Sequence, residues 1–523
     1  MKHVLALLFL CGILACKTVL IPAPFAVLPS NYYTETHRPQ FHFSPAQHWM
    51  NDPNGLVYSD GEYHLFYQYY PGDIKWGPMH WGHAVTRDLT HWEHLPIALY
   101  PDTLGYIFSG SAVADTQNTA GFRTGTEAPL VAIFTYHDMA GEQAGRKDHQ
   151  SQGIAYSNDR GRSWIKYAGN PVIANPGAKD FRDPKVFWHA ATQRWVLILA
   201  QGDRVVLYTS PDLKQWTPAS EFGLGYGSAG RPWECPDLFE LPVAGTAEKR
   251  WVMLVSLGTG APNGGSGTEY FIGQFDGKIF TPDDLPTTTL WFDYGRDNYA
   301  GVTWNNGPDD RRLFIGWMSN WQYAQEVPTT PWRSAMTVPR TLHLQKTPAG
   351  IRLVQKPVRE LETLRQDGGV LKLTQEPAAV YSLPSSACEV ELEWKMPAGN
   401  AQEMQSFGVQ LQNPQYPDES LSIGYDPKAQ QVFVDRSKAG KVTFSDKFAG
   451  RHTAPHAPTG ATLKMRLLVD VSSIEVFIDD GALTMTEIFF PTEAFTTMRL
   501  LYTPGAQPDL VTGRWYTLKS VWR

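Results

Sequence analysis

Short apolar runs broken by turn residues dominate the chain. Tyr63-His64-Leu65-Phe66-Tyr67-Gln68, Leu130-Val131-Ala132-Ile133-Phe134, Arg194-Trp195-Val196-Leu197-Ile198, Arg250-Trp251-Val252-Met253-Leu254 and Arg312-Leu313-Phe314-Ile315-Gly316 form one family of runs. They recur about 55 to 65 residues apart, longer than the roughly 40 to 50 of small propeller repeats but in the same regime. A second repeat closes turns on a tryptophan: Thr86-Arg87-Asp88-Leu89-Thr90-His91-Trp92, Ser157-Asn158-Asp159-Arg160-Gly161-Arg162-Ser163-Trp164 and Ser210-Pro211-Asp212-Leu213-Lys214-Gln215-Trp216. Runs this short, with frequent turns and no long amphipathic helix, predict an all-β fold. Five units predict five radial blades, each with its first strand lining a central channel. A pair of β-sandwiches is the alternative.

After Pro339 the pattern changes. Leu342 to Leu364, with Gln355-Lys356-Pro357 and Arg359-Glu360, is expected to be a connector. From Val370 alternation prevails: Glu389-Val390-Glu391-Leu392-Glu393-Trp394 puts acids on one face and apolar residues on the other, and Val432-Phe433-Val434 and Ile474-Glu475-Val476-Phe477-Ile478 continue it. Two sheets packed face to face would bury such strands. The expected organisation is therefore a leader over 1–20, a propeller over 36–341, a linker over 342–369 and a β-sandwich over 370–523.

With 523 residues the chain can bury two cores. Its formal net charge of -7 gives no electrostatic footprint for nucleic acid. Lys2 and His3 precede the apolar run Val4 to Ala15, too short for a membrane span and suited to an export signal. Ile13-Leu14-Ala15-Cys16 also resembles a bacterial lipoprotein cleavage site, with Cys16 as lipid acceptor, although Leu14 is not the small residue usual there. Export predicts a secreted, periplasmic or cell-surface protein. Without the leader only Cys235 and Cys388 remain, which is no disulfide framework. His80, His83, His91 and His94 crowd one repeat without a helical metal-site spacing, and are expected to be structural or solvent-facing. No metal or cofactor is expected.

Three runs carry the chemistry. Trp49-Met50-Asn51-Asp52-Pro53-Asn54-Gly55 sets a carboxylate among an amide, an aromatic ring and a rigid turn. Alone it is also an ordinary turn, because Pro fixes φ and Asn-Gly tolerates φ > 0. Phe181-Arg182-Asp183-Pro184-Lys185 and Trp233-Glu234-Cys235-Pro236-Asp237-Leu238-Phe239 each repeat the combination of an aromatic, a carboxylate and a following proline. Glycoside hydrolysis needs two carboxyl groups flanking the scissile bond, one ionised and one protonated. A propeller would bring acids from distant runs to one end of its axis. Cys235 has no pairing His motif and is expected to pack rather than react.

These runs resemble those of glycoside hydrolase family 32, the β-fructofuranosidases that include invertases, inulinases and levanases. Phe108-Ser109-Gly110-Ser111-Ala112-Val113 and Ser473-Ile474-Glu475-Val476-Phe477-Ile478-Asp479-Asp480-Gly481 extend the likeness along nearly the whole chain after the leader. The resemblance implies a five-bladed β-propeller followed by a β-sandwich. By position it implies Asp52 as nucleophile, Glu234 as acid/base and Asp183 as transition-state stabiliser, with Trp49, Met50, Asn51, Gln68, Trp76, Phe108, Ser109, Arg182 and Trp317 around the terminal fructose. Blade packing is the other reading for Trp76 and Trp317, since most of the 18 Trp must be core. The implied activity is exo-acting, retaining removal of terminal fructose from levan, inulin or sucrose, the wording around Glu234 and the chain length leaning towards the polymers. A noncatalytic fructan-binding protein, a fructosyltransferase, or hydrolysis of arabinans or xylans on a related scaffold are the alternatives. The sequence leaves the oligomeric state open.

Overall fold

The computed structural model describes residues 32–373, 380–396, 405–458, 460–502 and 509–522, so the leader and Cys16 lie outside the described residues. Five antiparallel sheets follow one another along the first two thirds of the chain. Their first strands are His48–Ser59, Tyr106–Ala114, Arg182–His189, Trp233–Pro242 and Tyr299–Thr303. The apolar repeats are the second strands, Glu62–Tyr70, Leu130–His137, Arg194–Gln201, Lys249–Leu257 and Arg312–Met318. Most of their residues are buried because both faces of a middle strand pack against neighbouring blades. Trp332–Arg333 pairs in parallel with His48 and Trp49 and links the last blade to the first. The protein is a five-bladed β-propeller followed by a β-sandwich.

The tryptophan-closed repeats are the turns leaving the third strands. Asp88 accepts from the backbone N–H groups of Thr90 (2.9 Å) and His91 (2.8 Å), and Asp212 from those of Lys214 (3.0 Å) and Gln215 (2.8 Å). An Asp side chain that mimics a backbone turn explains the recurring Asp.

The expected connector is partly wrong. Arg340–Thr347 and Gly350–Pro357 form the outer strands of the fifth blade, Arg340–Thr347 pairing with Arg312–Met318. Leu342 and Leu344 are buried on one face while His343 and Gln345 are exposed, an alternation that the Gln-Lys-Pro composition obscured. The junction is the 3-10 helix Arg359–Leu364, anchored by buried Leu361 and Leu364, and the first sandwich strand starts at Arg365.

Two six-stranded sheets form the sandwich around a core that includes Val390, Leu392, Trp394, Val409, Ile423 and Leu467. The strand Ser473–Ile478 departs from alternation, being buried throughout. Its outer face meets the propeller, and Glu475, expected on a polar face, is fully enclosed. Glu475 accepts from Arg340 Nε at 3.0 Å, from Val338 N–H at 2.7 Å and pairs with His42 Nε2 at 2.9 Å. Arg340 also reaches Asp293 at 3.1 Å, while His42 Nδ1 meets Asp470 at 2.8 Å. A second cross-domain cluster joins Arg436 to Asp297 at 2.5 Å and to Glu487 at 2.8 Å.

Candidate active site

All five inner strands carry a defect in pairing register at the same end. It lies between Met50 and Pro53, Ile107 and Gly110, Arg182 and Lys185, Glu234 and Asp237, and Tyr299 and Val302. Such a bulge adds a residue to one strand, bends it and re-aims its side chains. Asp183, Cys235 and Ala300 take φ of 65°, 45° and 53° there. A left-handed conformation at a non-glycine residue costs on the order of 1–3 kcal/mol and persists only where the surroundings enforce it. Three of the left-handed non-glycine residues thus sit in the bulges of the inner strands.

Those acids share one cavity of about 360 Å³, with Asp52, Asp183 and Glu234 in its wall. Asp52 accepts from Asn51 Nδ2 at 3.0 Å and from Ser109 Oγ at 2.7 Å, and the Cys235 thiol lies 3.6 Å away. Asp183 accepts the Cys235 N–H at 3.0 Å, a bond that the left-handed turn at Cys235 directs inward. Glu234 takes Arg182 Nη2 at 2.9 Å on one oxygen and the Tyr299 hydroxyl on the other. Arg182 is held in turn by Asp180 at 2.7 Å. Below the acids the axis is closed by Lys185, which pairs with fully buried Asp237 at 3.1 Å and donates to the Thr303 carbonyl.

Burial pushes the Asp52 carboxyl above its ordinary range; the Ser109 hydroxyl opposes this and the nearby charge of Glu234 adds to it. Burial pushes Asp183 up to about 7, against the Arg182 guanidinium and with the charges of Glu234 and Asp52. A carboxyl that holds its proton more tightly when folded makes the fold weaken as pH rises, here between the ordinary 3.8 and about 7. Asp183→Asn cannot ionise. Its Tm is therefore expected to match the parent's near pH 4 and to exceed it at pH 8; a gap that shrinks with rising pH would refute this. The Cys235 thiol is driven well up by burial and the three carboxylates, so it packs as a neutral group.

One wall was not foreseen. The short helix Met139–Gln143, capped by Asp138, presents Glu142 to His137 Nε2 at 3.0 Å, and Phe108 stacks on the His137 ring at 4.2 Å. One ligand atom each of His137, Glu142 and His149 lies within 4.8 Å of the others. The Gln150 amide, whose oxygen accepts the Phe181 N–H at 2.7 Å, donates to His137 Nδ1 at 3.2 Å. The His137 proton therefore sits on Nε2 and goes to Glu142. A cation would need the opposite tautomer, so these residues fit a hydrogen-bonded wall better than a metal centre.

Residues 42–357 match the family model described as Glycosyl hydrolases family 32 N-terminal domain, and residues 360–515 match its C-terminal counterpart. The chain belongs to glycoside hydrolase family 32. It is 52% identical over 501 residues to a levanase of Bacillus subtilis (strain 168), covering 94% of this chain and 72% of that one. It is 40% identical over 521 residues to the extracellular exo-inulinase inuE of Aspergillus niger (strain ATCC MYA-4892 / CBS 513.88 / FGSC A1513), covering 94% and 97%. The crystal structure of an exo-inulinase from Aspergillus awamori superimposes with a TM-score of 0.86 at 38% identity, over 94% of this chain and all of that one.

In this family-32 chain Asn51, Gln68, Trp76, Phe108, Ser109 and Arg182 line the cavity with the three acids. Trp49, Met50 and Trp317 do not: each is 0% exposed and belongs to the core behind it. Trp49 and Trp317 lie 5.9 and 4.8 Å from the ring of Trp321, the member of this tryptophan group that reaches the cavity. Trp49 Nε1 also donates to Asn51 Oδ1 at 2.7 Å and so orients the amide beside Asp52. His137, Glu142, Gln150, Lys179, Asp180, Trp321 and Gln325 complete the lining. Of these only Asp180 adjoins a singled-out run.

Proposed function

We infer that the protein is an exo-acting, retaining β-fructosidase that removes terminal β-D-fructofuranosyl units from levan, inulin and sucrose. The observation that carries this reading is the convergence of Asp52, Asp183 and Glu234 from three blades on one small cup, closed below by the Lys185–Asp237 pair. A cup closed at its base suits a chain end rather than a chain interior. Asp52, aligned by Asn51 and Ser109, attacks the anomeric carbon of the fructosyl unit. Glu234 gives its proton to the leaving oxygen, then takes one from the water that breaks the fructosyl ester, so configuration is retained. Asp183 accepts fructosyl hydroxyls and stabilises the oxocarbenium-like transition state. The names of the levanase and exo-inulinase relatives support this substrate class.

The test is product analysis on sucrose, inulin and levan. Free fructose released from chain ends is expected from the parent; only longer oligosaccharides, or none, would overturn the reading. Glu234→Ala is expected to lose roughly 10²- to 10⁴-fold on sucrose, and much less on a fructoside whose leaving group needs no proton. Equal losses on both would remove Glu234 from the acid role. Export is part of the proposal. It rests on the apolar segment within 1–20 and on the extracellular naming of the exo-inulinase relative. Among the described residues no helix is long and apolar enough to cross a membrane.

A further inference from the structure

The opposite end of the propeller axis holds a larger cavity, of about 670 Å³, within the roughly 300–1,000 Å³ of small-molecule sites. The Lys185–Asp237 pair and Asn305, whose amide bridges the carbonyls of Ala112 (2.8 Å) and Val186 (2.9 Å), separate it from the catalytic cup. Its wall is aromatic. Phe187, Trp188 and Trp251 are half-buried, which leaves ring surface open to the cavity. Neighbours fix those rings: Trp251 sits 5.5 Å from Phe187 and 5.0 Å from Phe275, and Trp188 sits 5.1 Å from Trp195.

Polar groups interrupt the rings. Glu240, Asp276 and Asn306 are exposed at the cavity, and Arg312 lies partly open beside them with its guanidinium 5.1 Å from the Phe239 ring centroid. Glu240 pairs with Lys249 at 3.1 Å and Asp276 shares the wall with Arg312, so the wall carries no surplus of cations, which disfavours a phosphate or sulfate. Four hydrogen-bonding side chains among the rings disfavour an acyl chain, which would leave them desolvated and unpaired. The matching ligand is neutral, carries apolar ring faces and presents many hydroxyls.

We propose that this cavity is a second, noncatalytic oligosaccharide site that holds a fructan chain while the cup at the other end trims chain termini. The identity of the sugar rests on the proposed activity, whereas the existence of the site rests on the cavity alone. Stacking on Trp188 and Trp251 supplies the contact area, and Glu240, Asp276, Asn306 and Arg312 select hydroxyls. A polymer held there raises its own concentration at the molecule, and sucrose gains nothing from it.

Native electrophoresis through gels containing levan or inulin tests the site, using full-length Asp52→Ala so that the polymer is not consumed and adding saturating sucrose to occupy the cup. Retardation that persists with sucrose and is lost in Asp52→Ala/Trp188→Ala and in Asp52→Ala/Glu240→Ala supports the proposal. Retardation absent from the start, or unchanged in both double variants, overturns it. Glu240 is exposed, so its replacement keeps the test valid if Trp188→Ala misfolds. With Asp52 intact, Glu240→Ala and Trp188→Ala are expected to raise KM for levan or inulin about tenfold, equivalent to about 1.4 kcal/mol, with kcat/KM on sucrose unchanged. Equal effects on sucrose and polymer would also overturn it. A parent that releases no fructose from sucrose would refute the catalytic reading, and the gel would still report on the second site.

Discussion

Asp52→Ala is expected to lower kcat/KM on sucrose by about four orders of magnitude or more, because in the proposed mechanism Asp52 forms the fructosyl ester. The fold should not suffer. Burial holds the Asp52 carboxyl above its ordinary range, and the charge of Glu234 raises it further. Above the ordinary carboxylate range Asp52 is thus a net cost to the folded chain, and its removal is expected to leave Tm equal or higher at pH 8. Steady-state kinetics with a thermal melt at pH 8 check both halves. Near-parental turnover would exclude Asp52 as nucleophile, and a lost activity accompanied by a large fall in Tm would mark it as structural.

Arg340→Met is expected to lower stability by about 3–5 kcal/mol, the range for removing one member of a buried charge pair. Arg340 is 0% exposed and holds Glu475 across the domain boundary and Asp293 on its own side. Without it Asp293 stays buried without a cation, since His42 reaches only Glu475 and Asp470. Chemical denaturation at pH 7 measures the loss; a change below about 1 kcal/mol would mean that water replaces the guanidinium. The cluster also sets a pH signature. His42 is raised from 6.5 to about 9 by its two carboxylate partners, against the penalty of burial. Its contribution is therefore complete below pH 6.5 and lost as pH climbs through about 9. Glu475 is held below its ordinary range, chiefly by Arg340 and His42 against burial, so its contribution is lost on acidification.

The blade repeat and the three acids that share the cup were legible because each leaves a local mark: an apolar run in the second strand of every blade, and a carboxylate between an aromatic and a proline. The interior of the site was not. Trp49, Met50 and Trp317 neighbour the chemistry along the strand but point into the packing beneath it, and one residue along a strand is enough to change faces. Trp321 belongs to the loop after the second strand of the fifth blade, where alternation gives no guidance. His137 and Glu142 lie far from the three runs and reach the cup from the end of a strand and from the short helix that follows it, whose packing has no sequence mark. Glu475 looked like a solvated acid because its counter-charges, Arg340 and His42, are more than a hundred residues away.

The bulges have a consequence for any attempt to graft one blade onto another. Each spends its additional residue at the mouth of the cup, so the pleat changes parity there: side chains that face the axis on either side of the bulge are separated by an odd number of positions. A chimera aligned on hydrophobic alternation would be one residue out of step in this short zone, and would turn the counterpart of Asp52 or Glu234 into the blade while leaving the rest of the strand correctly packed. Such a hybrid would fold and be inert. Alignment on the left-handed residue, Asp183, Cys235 or Ala300, keeps those bulges in step.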